Sequence, residues 1–219
     1  MQTVKNVVIA AAGMGKRLGM GMPKTLVDID TRKVVDFQLA LFKNIENIYM
    51  VVGFCDQDVM RYVKQVRSDV IFVRNPDFKR TKTLESFYLA AKLIEGNAIF
   101  IDGDMIIPRK SFDSFVTRCK EVNSLIGVST RISEDPVYAK VNENNEVVGF
   151  SYDEYSNYEW ANMMFLDANK IRGGKENVFE FLEEILPLPA HCVERLEIDT
   201  QDDLENAKKE IEKGYFDGQ

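Results

Sequence analysis

Short apolar runs alternate with amphipathic stretches through the first 131 residues of the chain. Runs at 4–10, 48–53, 70–74, 97–102 and 124–131 read as strands. The intervening stretches 34–45, 57–66, 83–94 and 110–122 carry helical periodicity; in the third, Leu84, Phe87, Tyr88, Ala91 and Ile94 fall on one face. This β-α-β alternation predicts an α/β fold with a mainly parallel, twisted sheet and helices on both faces, a three-layer α/β/α arrangement.

After about residue 133 the pattern changes. Stretches 136–141 and 146–152, joined by Asn142-Glu143-Asn144-Asn145, read as a β-hairpin. A further strand is expected at 160–166, then a helix over 178–186 ended by Pro187 and Pro189, and a strand over 193–198. Thr200 is placed to cap a last helix over 201–213 that runs from acidic to basic. The reading is one domain over 1–219, with 133–165 as a small β-rich insertion over the active site. In open parallel sheets ligands lie where the loops leave the carboxyl ends of the strands, so that edge is where chemistry is expected.

Composition narrows the classes. A chain of 219 residues builds a core without staples. A net charge of −7 argues against nucleic acid as a partner, because binding a phosphate backbone needs a basic surface. Cys55, Cys119 and Cys192 have neither zinc spacing nor a disulfide framework, which fits a reducing cytoplasm. With no long apolar span and no signal-peptide pattern, a cytoplasmic monomer or homodimer without membrane contact is expected.

The first strand leads straight into Ala11-Ala12-Gly13-Met14-Gly15-Lys16-Arg17-Leu18, followed by Pro23-Lys24. Small residues let the backbone come close to a ligand, exposed backbone N–H groups bind phosphate oxygens, and Lys16, Arg17 and Lys24 supply full charges. The segment reads as a triphosphate cradle. It is not a Walker loop, since Gly15-Lys16 is followed by Arg17 rather than Ser or Thr. Nor is it a dinucleotide fingerprint: Gly13, Gly15 and Gly19 are spaced one residue too wide, and Pro23 interrupts a helix starting at Gly15.

These residues resemble the nucleotidyltransferase signature Ala-Ala-Gly-x-Gly-x-Arg-Leu with a following Pro-Lys. The resemblance implies an enzyme that joins a nucleoside triphosphate to a small phosphorylated metabolite, and the compact layout looks most similar to phosphocholine- and phosphonate-type cytidylyltransferases. It implies CTP as donor, Ala11, Ala12, Gly13, Met14, Gly15, Lys16 and Arg17 as nucleotide-binding residues, and Lys24 and Arg17 as the catalytic cations.

Residues 97–104 form an apolar strand ending in Asp102-Gly103-Asp104. Two carboxylates at a strand end suit a hard divalent cation such as Mg²⁺, which takes one or two carboxylates and completes its shell with water and phosphate. By resemblance Asp104 holds the metal, Asp102 lies near the ribose or a second ion, and Asp199, in Glu197-Ile198-Asp199-Thr200, is the second ligand. The polar segment between the third strand and its helix resembles the base-reading segment of cytidylyltransferases. This brings in Asn75, Thr83 as helix cap, and Ser86.

A phosphomonoester with a second pKa near ~6 is already ionised at neutral pH. Nucleotidyl transfer onto it therefore needs positioning and charge neutralisation rather than a general base. That suits a chain with one histidine, His191, and no nucleophile–base constellation. Acceptor contacts are expected from the insertion: by the same resemblance Tyr138 and Trp160 are aromatic walls around a group such as choline and Glu159 meets an amine or hydroxyl, with Lys140 for the phosphate or phosphonate. The product would serve surface polysaccharide or lipid decoration. Two other enzyme readings are a sugar-1-phosphate nucleotidyltransferase and a GT-A-type glycosyltransferase, which takes a diphosphate donor and has less need of Arg17 and Lys24. A non-catalytic nucleotide-binding module is the remaining reading, and intact Lys24, Asp104 and Asp199 argue against it.

Overall fold

In the computed structural model residues 3–214 and 216 are described. Residues 1–2, 215 and 217–219, the ends of the expected 1–219 domain, lie outside the described residues. In chain order the strands are β1 (Asn6–Ala11), β2 (Asp28–Ile29), β3 (Arg32–Lys33), β4 (Asn47–Val52), β5 (Ile71–Arg74), β6 (Asn97–Asp102), β7 (Met105–Ile106), β8 (Leu125–Ser129), β9 (Tyr138–Val141), β10 (Glu146–Ser151), β11 (Glu159–Asp167), β12 (Leu188–Cys192) and β13 (Leu196–Glu197). The helices are α1 (Val34–Leu41), α2 (Asp56–Val66), α3 (Thr83–Ala91), α4 (Arg109–Cys119), α5 (Val178–Glu183) and α6 (Gln201–Glu212).

Nine strands form one sheet in the order β5-β4-β1-β6-β11-β8-β12-β10-β9. The half from β5 to β6 is parallel, with Ile9 of β1 between Met50 of β4 and Ile101 of β6. Beyond β6 the sheet is mixed: β11 runs antiparallel to both β6 and β8, β12 runs parallel to β8, and β10 is antiparallel to β12 and β9. The expected parallel sheet is thus confined to the β-α-β half. In the mixed half only β9–β10 is closed by a short hairpin loop; β11 reaches β6 and β8 over long connections.

Alternate residues of a strand point to opposite faces, and the core divides accordingly. Val7, Ile9, Met50 and Ile101 cluster with Val35, Val59 and Phe115 from α1, α2 and α4. Val8, Val51 and Phe100 cluster with Phe87 of α3 and Leu182 of α5. A third cluster joins Leu18, Val27, Phe37, Ile106, Ile198 and Leu204, tying the segment after β1 to the segment before α6.

Two expectations change. Segment 133–165 is continuous with the sheet: β11 pairs directly with β6, and β9 pairs with β10 and returns to β11 at Tyr138–Glu159. The strand expected at 193–198 lies instead at Leu188–Cys192, with only Leu196–Glu197 extended after it. Pro189 sits near the strand start, ahead of the ladder with β8, which begins at Ala190.

Candidate active site

The carboxyl ends of β1 and β6 open into a cleft of about 220 Å³. Ala11, Ala12, Gly13 and Gly15 line one wall; Asn75, Thr83 and Ser86 line another; Lys24, Asp102 and Asp104 complete it. Eleven residues expected in nucleotide, metal or catalytic roles, from three stretches of sequence, therefore meet, counting Arg17, which reaches Asp199 from the loop.

Local chemistry explains the placement. Gly15 has φ +58°, and a Cβ there would lie 3.0 Å from Lys24 Cγ, so the loop folds back on Lys24 only with glycine. At Gly103 a Cβ would meet Ala10 O at 2.7 Å; the absent side chain lets Gly103 N donate to Ala10 O at 2.9 Å. Lys24 opens a short 3-10 turn, Lys24–Leu26, directly behind Pro23. Asn75 is 2% exposed, and its Nδ2 donates to Thr81 Oγ1 at 3.0 Å and Ser86 Oγ at 3.2 Å, which folds the loop before α3 onto that helix. Thr83 is the first residue of α3; Lys82 occupies the cap position and its side chain makes no capping bond. The expected Thr83 cap is corrected on that point.

The acidic centre is organised around an ammonium. Lys24 Nζ donates to Asp104 Oδ2 at 2.7 Å and to Asp199 Oδ1. Arg17 Nη2 lies 2.5 Å from the other Asp199 oxygen, and Arg17 Nη1 reaches Asp135 at 3.5 Å. Burial alone would lower the Lys24 pKa, but the charges of Asp104 and Asp199 outweigh it and hold the amine protonated above the ordinary lysine range. Asp102 is pushed well above the usual carboxylate range by burial and by the nearby charges of Asp104 and Glu197. Glu197 is pushed up to about 7 by burial and Asp104.

Among the described residues no three His, Cys, Asp or Glu side chains converge as a metal-holding group. The donor set is instead two carboxylates, Asp104 and Asp199, with Asp104 Oδ1 buried and without a hydrogen-bond partner among the described residues. Asp104 lines the first cleft and Asp199 is joined to it through Lys24 Nζ, and two carboxylates are as many as Mg²⁺ commonly takes from protein.

A second cleft of about 350 Å³ shares Lys82, Thr83 and Asp102 with the first. Tyr152, Trp160 and Phe179 supply its apolar wall, and Arg17, Asp135 and Asn162 its polar side. Of the four residues expected to contact an acceptor, Trp160 is there. Tyr138 packs its ring on Tyr155 at 5.5 Å, and Lys140 pairs with Glu154. Both belong to β9, which pairs with β10 and, at Tyr138–Glu159, with β11, and their side chains are spent on these neighbours. Glu159 is buried against Arg195 and accepts from Ser133 N and Oγ at 3.0 and 2.8 Å. These three residues line neither cleft, nor do Met14 and Lys16.

Sequence reasoning did not single out Thr25, Phe78 and Thr81 on the first cleft or Asn162 and Phe179 on the second. Asn162 is the only one with a local signal in the structure, a φ of +52° within β11, and that signal is invisible in sequence.

Residues 7–156 match the profile of the MobA-like NTP transferase domain. The chain belongs to this family. Among curated relatives, the bifunctional protein GlmU of Neisseria meningitidis serogroup A / serotype 4A (strain DSM 15465 / Z2491) is 30% identical over 139 residues, 62% of this chain and 29% of that protein. The CMP-5'-(3-aminopropyl)phosphonate synthase of Streptomyces rubellomurinus (strain ATCC 31215) is 23% identical over 193 residues, 81% of this chain and 30% of that protein. The chain thus spans under a third of the length of these two relatives. Among solved structures, the inositol-1-phosphate CTP transferase of T. maritima superposes with a TM-score of 0.81 at 21% identity, covering 97% of this chain and 98% of that one. The CTP:phosphocholine cytidylyltransferase LicC of Streptococcus pneumoniae gives 0.79 at 19% identity, covering 96% and 100%. These likenesses establish a mixed α/β fold shared with nucleotidyltransferase structures. Among the described residues no helix is long and apolar enough to cross a membrane.

Proposed function

We propose that this NTP transferase domain is a cytidylyltransferase that joins CMP from CTP to a small phosphorylated or phosphonate metabolite, and that its product feeds surface polysaccharide or lipid decoration. The observation that carries the reading is the Lys24 ammonium bridging Asp104 and Asp199 beside a glycine-lined phosphate cleft. Two of the structural neighbours are named as CTP transferases, and one relative as the synthase of a CMP-phosphonate. We read the helices on the two faces of the sheet as α/β/α layering, with the second cleft as the acceptor site and the whole acting in the cytoplasm as a monomer or homodimer.

In this reading the triphosphate lies over Gly13 and Gly15, and Arg17 leaves Asp199 to hold the β- and γ-phosphates. Asn75 and Ser86 fix the loop that faces the base. An anionic acceptor oxygen attacks the α-phosphorus; the new P–O bond forms as the bond to the β-phosphate oxygen breaks, and pyrophosphate departs with that electron pair. The acceptor brings no proton to remove, so no side chain acts as base. Lys24 stabilises the charge that grows on the α-phosphate oxygens. Asp104 and Asp199 would hold Mg²⁺, which when bound neutralises charge on the transferring and leaving phosphates.

The test is pyrophosphate release from each of the four NTPs with Mg²⁺, against phosphocholine, aminoalkyl phosphonates, inositol phosphate and sugar 1-phosphates. Release with CTP and a non-sugar acceptor supports the proposal. Release only with ATP, UTP or GTP and a sugar 1-phosphate replaces it with a sugar nucleotidyltransferase. Sugar transfer from a nucleotide sugar would make the chain a glycosyltransferase, and binding without turnover a regulatory module.

A further inference from the structure

Helix α1 buries Val34, Val35, Phe37, Leu39 and Leu41, and among them lies one uncharged polar side chain, Gln38, at 0% exposure. A buried carboxamide costs free energy unless it is hydrogen-bonded. Gln38 Nε2 donates to Asp102 O at 2.8 Å and to Met105 O at 3.0 Å, the two ends of the Asp-Gly-Asp turn. Gln38 Oε1 is buried with no partner among the described residues. Both N–H bonds of the amide go to carbonyls, so the group cannot flip to satisfy that oxygen without orphaning two others.

The two inner carbonyls of the turn are also held. Gly103 O accepts from Thr25 Oγ1 at 3.2 Å, and Asp104 O accepts from Ile198 N at 3.0 Å. Thr25 follows Lys24, and Ile198 precedes Asp199. Every carbonyl from residue 102 to 105 therefore has a partner: one from the lysine segment, one from the Asp199 segment, and two from Gln38. Gln38 is the partner that belongs to neither ion-pairing segment; it closes the turn from the core.

We infer that Gln38 is a positioning residue for the acidic centre: it fixes the main chain of the 102–105 turn so that Asp104 keeps its place relative to Lys24 and Asp199. The inference rests on the proposed nucleotidyl transfer. Groups that orient a ligand carboxylate from behind change metal affinity by about 10–100-fold when removed.

The experiment compares wild type with Gln38→Met, which keeps length and loses the donors, and Gln38→Asn, which keeps the amide but is one methylene short. Folding is followed by circular dichroism and thermal melting, Mn²⁺ binding by electron paramagnetic resonance with the metal alone, and turnover by pyrophosphate release. A folded Gln38→Met should bind Mn²⁺ about 10–100-fold more weakly, with a matching fall in kcat and an unchanged acceptor KM; Gln38→Asn should fall between. Mn²⁺ affinity and kcat within twofold of wild type in a folded variant would overturn the inference, as would failure of both variants to fold, which would make Gln38 a stability residue. A wild-type protein that neither binds Mn²⁺ nor releases pyrophosphate would bring down the functional reading itself.

Discussion

Lys24 Nζ and Asp104 Oδ2 meet at 2.7 Å although 80 positions separate them in the chain, and Asp199 joins the same ammonium from 175 positions away. Removing the amine leaves two mostly buried carboxylates facing each other. Lys24→Ala should lower kcat by about 10²–10³-fold, the usual effect of deleting one transition-state donor. It should also lower the melting temperature in the absence of divalent ions, since like charges lose their counter-ion. Mg²⁺ should then raise the melting temperature of the variant more than that of wild type. Near-normal turnover, or a variant indifferent to Mg²⁺, would contradict the proposed roles of Lys24, Asp104 and Asp199.

Glu159 and Arg195 form an ion pair with side-chain exposures of 1% and 5%. Arg195 also holds Glu197 at 3.1 Å, and Glu159 anchors Ser133 at the start of the segment that carries Asp135. Glu159→Ala leaves the buried guanidinium with Glu197 as its carboxylate partner and should destabilise the fold by up to about 3 kcal/mol in urea titrations. With protein kept folded at low temperature, its acceptor KM should match wild type. A normal melt with a raised acceptor KM would restore Glu159 to substrate contact.

The turn after β1 was legible because the constraint on it is local: a strand end followed by small residues and cations places Gly13, Gly15 and Lys24 on one cleft. The parallel half of the sheet was legible for the same reason, through regular β-α-β spacing. What failed was long-range. Glu159 looks free in sequence, and nothing in the chain announces that Arg195, 36 positions later, neutralises it. Lys140 looks available because the sheet position of β9 depends on β10 and β11 pairing around it. Gln38 carried a usable signal, a lone amide in the apolar stretch of α1, but its partners are carbonyls that sequence does not distinguish.

The single histidine offers a clean titration. His191 Nε2 lies 2.9 Å from Ser114 Oγ, and burial, with the positive charge of Arg118 behind it, lowers its pKa below 6.5. The unfolded chain binds the proton more readily, so this group's contribution to stability is present above 6.5 and is lost as pH falls through the folded-state value. One imidazole resonance should titrate below 6.5 by NMR, and His191→Gln should flatten the acid limb of stability against pH. The pH profile of kcat should not change, because the ring stands on β12 beside α4 and lines neither cleft. A titration at or above the free value would refute the buried environment.

Tyr152 tests the second cleft with little risk to folding. It is 58% exposed and sets its ring edge-on to Phe179 at 5.2 Å on the cleft wall, whereas Trp160 is buried against Phe150 and contributes to the core. Loss of an exposed ring there removes apolar contact with whatever fills the cleft, while leaving the triphosphate loop intact. Tyr152→Ala should raise the acceptor KM by about 5–30-fold, the equivalent of about 1–2 kcal/mol of lost aromatic contact, with the NTP KM within twofold and the melting temperature unchanged. If the acceptor carries a quaternary or primary ammonium, Tyr152→Phe should retain most of the affinity, because the ring face rather than the hydroxyl meets the cation. A Tyr152→Ala variant that weakens NTP binding instead would place the nucleotide, not the acceptor, in this cleft.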